Sequence, residues 1–201
     1  MEMTGEQPIP ASQQDTWNAL NDPEVLKACV PGCESISRVN DNEYQVQMTV
    51  RVGPVSAKFR GRLSIFDVKA PNSYSLAFEG QGGAAGFAKG AAQVKLESVS
   101  PKETRLIYEV KANVGGKLAQ IGSRLVDAAA KKVADEFFQN FNDKMSSPAE
   151  QTVVAHAQPE EHGTAPPADD PAMPSVSNTT LMFFAAGALV VFIVALVAFF
   201  G

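Results

Sequence analysis

The side chains that usually perform covalent or acid–base chemistry are scarce in this chain and poorly placed for it. Both histidines, His156 and His162, fall in a stretch rich in proline and acid. No Ser/His/Asp or Cys/His set can be assembled from the remainder, and no metal-ligand spacing occurs. Cys29 and Cys33 stand four apart in CVPGC, but two thiols without a histidine or a second cysteine pair do not make a zinc site. They read as small buried residues. The segment from Gly80 to Ala85 (GQGGAA) formally fits a dinucleotide fingerprint. That motif must open a helix inside a βαβ unit, whereas the apolar residues after it alternate as in a strand. Glycines at such a junction suit a cavity mouth plugged by Phe87, and a bulge or close helix packing accounts for them equally well.

What remains is the chemistry of binding, and it depends on which way each side chain faces. Tyr44, Val46, Met48, Val50 and Val52 alternate with polar residues, as do Val55, Ala57, Phe59, Gly61, Leu63 and Ile65. The same period of two recurs in Tyr74-Leu76-Phe78, in Val94-Leu96 and in Leu106-Tyr108-Val110-Ala112-Val114. One buried and one wet face is the signature of an antiparallel meander. A short N-terminal strand and two brief helices, Asp15 to Leu20 and Pro23 to Val30, precede it. Asn21-Asp22-Pro23 supplies a cap and a proline for the second helix. From Lys117 the period becomes four, through Ile121, Leu125, Ala129, Val133, Phe137, Phe141 and Met145. This predicts one amphipathic helix of seven or eight turns. The fold expected over residues 1–146 is therefore α+β, a curved antiparallel sheet around a long C-terminal helix.

The inward face of that sheet is unusual in size. Ala57, Gly61, Gly80, Ala88, Gly90, Ala92 and Ala112 share it with Phe59, Leu63, Phe78, Leu96 and Tyr108. A packed core needs side-chain volume between sheet and helix. So many small residues predict either very close helix packing, with Phe137, Phe138 and Phe141 filling the space, or an apolar cavity for a flat hydrophobic ligand. The expected lining is Phe59, Gly61, Leu63, Phe78, Phe87, Gly90, Leu96, Tyr108 and Val110 from the sheet. Leu118, Ile121 and Leu125 complete it from the helix. Tyr44 and Tyr108 are the inward groups able to hydrogen-bond a ligand carbonyl. On the outer face, Lys58, Arg60 and Arg62, with Arg51 nearby, form a cationic row suited to anionic headgroups or an acidic partner.

Charge divides the rest of the chain. All 17 Lys and Arg lie between Lys27 and Lys144, where they balance the acids of residues 1–146. Residues 147–180 hold Glu150, Glu160, Glu161, Asp169 and Asp170, six prolines and no base, so the net charge of −5 belongs there. This composition predicts a disordered linker. Leu181 to Phe200 carries no charge and would make a helix of roughly 30 Å, the thickness of a bilayer core. A single C-terminal transmembrane helix over 181–200 is expected. The N-terminus shows no secretory signal, which places the domain on the cytoplasmic side, where no disulfide is expected. Nothing is basic enough to suggest nucleic-acid binding.

Several of these pieces together resemble the CoxG family of carbon monoxide dehydrogenase subunits, within the START-like helix-grip superfamily. They are Pro31-Gly32-Cys33 with Glu34-Ser35-Ile36, then Val52-Gly53-Pro54-Val55 followed by Ala57, Phe59 and Gly61. The third is Gly86–Gly90 leading into Val94 and Leu96. The likeness covers roughly Met1 to Ser146. It implies a seven-stranded sheet gripping the helix over an internal cavity, and a non-catalytic role. It further implies recruitment of a molybdenum hydroxylase, typically carbon monoxide dehydrogenase, to the membrane, with a respiratory quinone (menaquinone or ubiquinone) as bound ligand. A lipid-transfer or lipid-sensing module and a polyketide aromatase or cyclase are the competing readings. The cyclase needs an inward acid or base, and the alternation predicts none.

Overall fold

The computed structural model describes residues 2–52 and 55–146. The expected linker and tail helix, and Gly53 and Pro54, lie outside the described residues. Among the described residues no helix is long and apolar enough to cross a membrane.

The chain opens with β1 (Glu2–Ile9), α1 (Gln13–Leu20) and α2 (Pro23–Cys29). Both helices start on side-chain caps. The Ser12 hydroxyl accepts from the Asp15 amide, and the Asp22 carboxylate accepts from Glu24 and Val25, with Pro23 in the first turn. Six strands follow: β2 (Cys33–Asn40), β3 (Glu43–Val52), β4 (Val55–Lys69), β5 (Ser73–Gln81), β6 (Phe87–Ser100) and β7 (Glu103–Gly115). A 3-10 turn over Gly83–Ala85 joins β5 to β6. All pairings are antiparallel, and the spatial order is β1-β7-β6-β5-β4-β3-β2. The expected meander is present, with β1 returned to the far edge beside β7. The edge strand β2 shows no period of two in sequence because it is polar and largely exposed, with Ile36 as its one large apolar contact.

The C-terminal element differs from the single helix expected. It is divided into α3 (Lys117–Gln120) and α4 (Ser123–Ser146), separated by Gly122 at φ 96°. A positive φ ends the helical path, so the phase of Leu118 and Ile121 is not carried into α4. α4 buries Val126, Ala130, Ala134, Phe137, Phe138 and Phe141, the last four in one cluster with the concave face of the sheet. Two amides fasten its far end: Asn140 donates to the Cys29 carbonyl (3.0 Å) and Asn142 to the Pro8 carbonyl (3.2 Å). Inside, the buried Thr104 hydroxyl donates to the Ala11 carbonyl (2.9 Å), fixing the turn after β1.

Candidate ligand-binding site

The concave face is built from transverse rows set by the strand register. One row runs Val46, Gly61, Gly80, Ala88, Val114; its neighbour runs Tyr44, Leu63, Phe78, Gly90, Ala112. Gly90 in these rows, and Gly82 in the turn after β5, are small for a local cause. A side chain on Gly90 would strike the Phe78 ring and the Lys111 carbonyl, and one on Gly82 would strike the Phe59 ring. Those two rings occupy the room that glycine leaves. Further along, Tyr108 stacks on Phe138 (centroids 5.6 Å), Phe138 meets Phe137 edge-on (5.2 Å), and Phe137 stacks on Phe141 (5.6 Å). The contact between sheet and α4 is thus a wedge. It is filled with aromatic rings under the C-terminal half of the helix and lined with alanine under the N-terminal half.

Open space flanks that thinner half. A groove of about 480 Å³ lies between β3 and α4, with Met48, Val50, Pro31, Ala129 and Val133 as walls and Arg51, Lys132 and Glu136 at the rim. On the other flank a recess of about 330 Å³ is lined by Ala112, Val114, Ala119 and Val126, with Asp127 and Glu2 beside it. Two other concavities lie on the outer face of the sheet; one is lined by Glu43, Arg62, Glu79 and Lys89, a charged setting unsuited to an apolar ligand. The β3–α4 groove combines apolar walls with a polar mouth, the usual make-up of a site for an amphiphilic molecule.

Of the lining residues expected from sequence, Phe59, Gly61, Leu63, Phe78, Leu96, Tyr108, Val110 and Leu118 are buried between sheet and helix. Gly90 and Ile121 are half-buried. Two positions need correction. Leu125 is 56% exposed, because the break at Gly122 turns the buried face of α4 onto Val126 and Ala130. Phe87 is 41% exposed on the outer face, since its neighbour Ala88 points inward and alternation sends Phe87 the other way. Its ring lies over Gly115 and plugs no inner space. The groove walls Met48, Val50, Ala129 and Val133 are not among the lining expected from sequence. Their apolar periodicity is legible there, but which flank of the helix stays open is not.

The polar inventory is small. Among the described residues the buried polar side chains are Thr16, Ser75 and Thr104, and no cluster of His, Cys, Asp and Glu could hold a metal. Tyr44 and Tyr74 are buried with hydroxyls that have no hydrogen-bond partner, and burial pushes Tyr44 up to about 12. Tyr74 meets Trp17 edge-on at 5.6 Å. Cys29 is buried and Cys33 half-buried, both free, and desolvation raises each thiol to about 11. On the outer face Lys58 pairs with Glu34 (3.0 Å) and Arg62 with Glu43 (3.0 Å), while Arg60 stands exposed between Gln47 and Gln81.

A seven-stranded antiparallel sheet closed round one long C-terminal helix, with apolar space beside that helix, defines the START-like helix-grip class. Solved structures of the same fold include a conserved protein from Geobacillus kaustophilus. It has TM-score 0.68 and 28% identity over 72% of this chain and 95% of that one. A Thermus thermophilus protein gives 0.56 and 14%, over 72% and 97%. The Zhui aromatase/cyclase of a Streptomyces species, strain R1128, gives 0.56 and 9%, over 72% and 93%; at such identity the likeness concerns the fold alone. The family model for the CoxG subunit of carbon monoxide dehydrogenase matches residues 5–146, and the chain belongs to that family. No curated protein matches it.

Proposed function

We propose that this protein is a membrane-tethered accessory subunit. It brings a molybdenum hydroxylase of the carbon monoxide dehydrogenase type to the cytoplasmic face of the membrane and holds a respiratory quinone, menaquinone or ubiquinone, for that enzyme to reduce. The observation that carries this reading is membership of the CoxG family over the whole helix-grip domain. The chemistry of the site agrees with it. An isoprenoid chain is flexible and apolar, and the walls Met48, Val50, Ala129 and Val133 offer it contact without a polar group to desolvate. The quinone ring, with two carbonyl acceptors, fits the mouth, where Arg51 and Lys132 can donate. The apolar segment Leu181–Phe200 would keep this groove within reach of the bilayer, where the quinone resides.

Two measurements test the two halves. Organic extraction of the purified full chain, followed by quinone titration, should find quinone bound. An extract of phospholipid alone, with no uptake of added quinone, would replace carrier with lipid-transfer module. Deleting Leu181–Gly201 should move the hydroxylase from the membrane fraction to the soluble one, and an unchanged distribution counts against recruitment.

A further inference from the structure

The register places three tips at one end of the sheet. They are the β3–β4 hairpin, the Gly83–Ala85 turn with Phe87, and the β7–α3 junction opposite Gly115. Around them gather the exposed cations Arg51, Lys58, Arg60, Lys89, Lys117 and Arg124, against Glu2, Glu34, Glu79 and Asp127. Arg124 sits in the first turn of α4, which has no acid to offset the positive helix terminus. The domain as a whole is neutral, so the surplus of base at this end is balanced by acids elsewhere in it. The opposite end carries Asp15, Asp22, Glu24, Asp41, Asp67 and Glu103 set among the bases Arg38, Lys69, Lys102 and Arg105, and it exposes Val39, Phe66, Val68 and Val99. The cationic end also exposes two large apolar side chains, Phe87 at 41% and Leu125 at 56%, and the groove between β3 and α4 opens beside it.

We infer that this end is a docking surface for an anionic lipid bilayer, with Phe87 and Leu125 entering the interface and the arginines and lysines meeting phosphates. The inference rests on the proposed membrane-tethered carrier. The chain outside the described residues supports the orientation. α4 carries the chain away from the cationic end: Asn142 reaches Pro8, at the far end of β1, and 24 residues of helix advance about 36 Å. A domain resting on its cationic end therefore needs that distance of chain to return to the bilayer. The roughly 34 residues before the apolar segment would reach about 30–35 Å root-mean-square with the coil dimensions that their composition predicts. A domain resting on its opposite end would need almost none, and that end offers anionic lipid no surplus of base.

The test uses the full chain reconstituted in vesicles of brominated phosphatidylcholine, with or without phosphatidylglycerol. Trp17, the single tryptophan, lies buried against Tyr74, away from the cationic end, and serves as the internal control. Phe87→Trp and, separately, Leu125→Trp place a reporter at the cationic end. Each reporter should be quenched in the anionic vesicles only, while Trp17 of the unaltered chain is not. Each cation is worth about fivefold in partition. Arg60→Glu with Arg124→Glu should therefore reduce docking more than tenfold, and high salt should do the same. Equal quenching in both lipids, quenching of Trp17, or no quenching of either reporter overturns the inference. So does a charge reversal that abolishes hydroxylase binding and leaves the quenching unchanged, which would assign the surface to a protein. Flotation and quinone content of the same vesicles report separately on the tether and the carrier.

Discussion

Adjacent alanines on α4 offer a direct test of where the ligand space lies. Ala130 is fully buried, whereas Ala129, about 100° round the helix, borders the 480 Å³ groove. Replacing each by leucine adds the same three carbons in opposite circumstances. At Ala130 there is no room, so the backbone or neighbouring rotamers must shift, at a cost of about 1–3 kcal/mol. For a domain of this size that lowers Tm by about 2–12 °C. At Ala129 the added carbons enter open space. Half-burial of groups worth about 0.8 kcal/mol each gives a gain near 1 kcal/mol and a Tm higher by about 2–4 °C. The same leucine occupies volume the quinone needs, so Ala129→Leu should weaken quinone binding about tenfold or more, a loss of about 1.4 kcal/mol in contact. Thermal unfolding by circular dichroism and quinone titration on the same preparations give both numbers. Equal destabilisation at the two sites would mean that the groove is packed. Unchanged quinone affinity in Ala129→Leu would move the ligand elsewhere.

Three further outcomes follow from local geometry. Gly86 has φ 124° and a side chain there would meet the Gly115 carbonyl, so Gly86→Ala should cost about 1–3 kcal/mol in urea unfolding. Gly83→Ala, at φ 60° with open space around it, should cost less. Asp22→Ala removes the cap of α2 and should cost about 1 kcal/mol in the same assay. The thiols give a pH dependence. Cys29 and Cys33 are raised from 9.0 to about 11, so the fold favours their neutral forms. Their contribution is complete below pH 9 and is lost as pH rises from 9 to 11. Stability should fall across that window, and Cys29→Ala should flatten the fall; a flat profile in the unaltered protein would show that the thiols are not desolvated.

Periodicity makes most of the scaffold legible. Each of the strands seen as alternation is present, because a sheet with one buried face writes its pleat directly into the sequence. What stays hidden depends on contacts between distant residues. β2 is an edge strand with little to bury, so its pairing to β3 leaves no pattern. The break in the last helix hinges on Gly122, one residue in an unbroken apolar period, and its effect is to exchange Leu125 for Val126 at the core. Phe87 misleads because the glycines around it suggest a cavity mouth. The alternation that correctly turns Ala88, Gly90 and Ala92 inward already sends Phe87 outward, and only a long-range contact, its ring over Gly115, shows where it goes.

The small inward residues, which first suggest emptiness, serve two purposes that the structure separates. Gly90 and Gly82 are small because Phe78 and Phe59 lie across them, an arrangement of close packing. Ala129 borders the groove beside β3, and Ala112 and Val114 border the recess on the other flank; nothing among the described residues fills either. The stacked rings from Tyr108 to Phe141 hold the other half of α4 rigidly. A helix anchored at one end and thinly packed at the other can admit a ligand by small movements of its first turns, without opening the core. The Gly122 break and the short α3 beside the cationic tips place that freedom at the end where a bilayer-borne ligand would arrive. Cross-linking the start of α4 to the sheet, as by Val126→Cys with Ala112→Cys across the 330 Å³ recess, should therefore slow quinone uptake while leaving Tm the same or higher. Uptake at an unchanged rate would mean that the groove is permanently open.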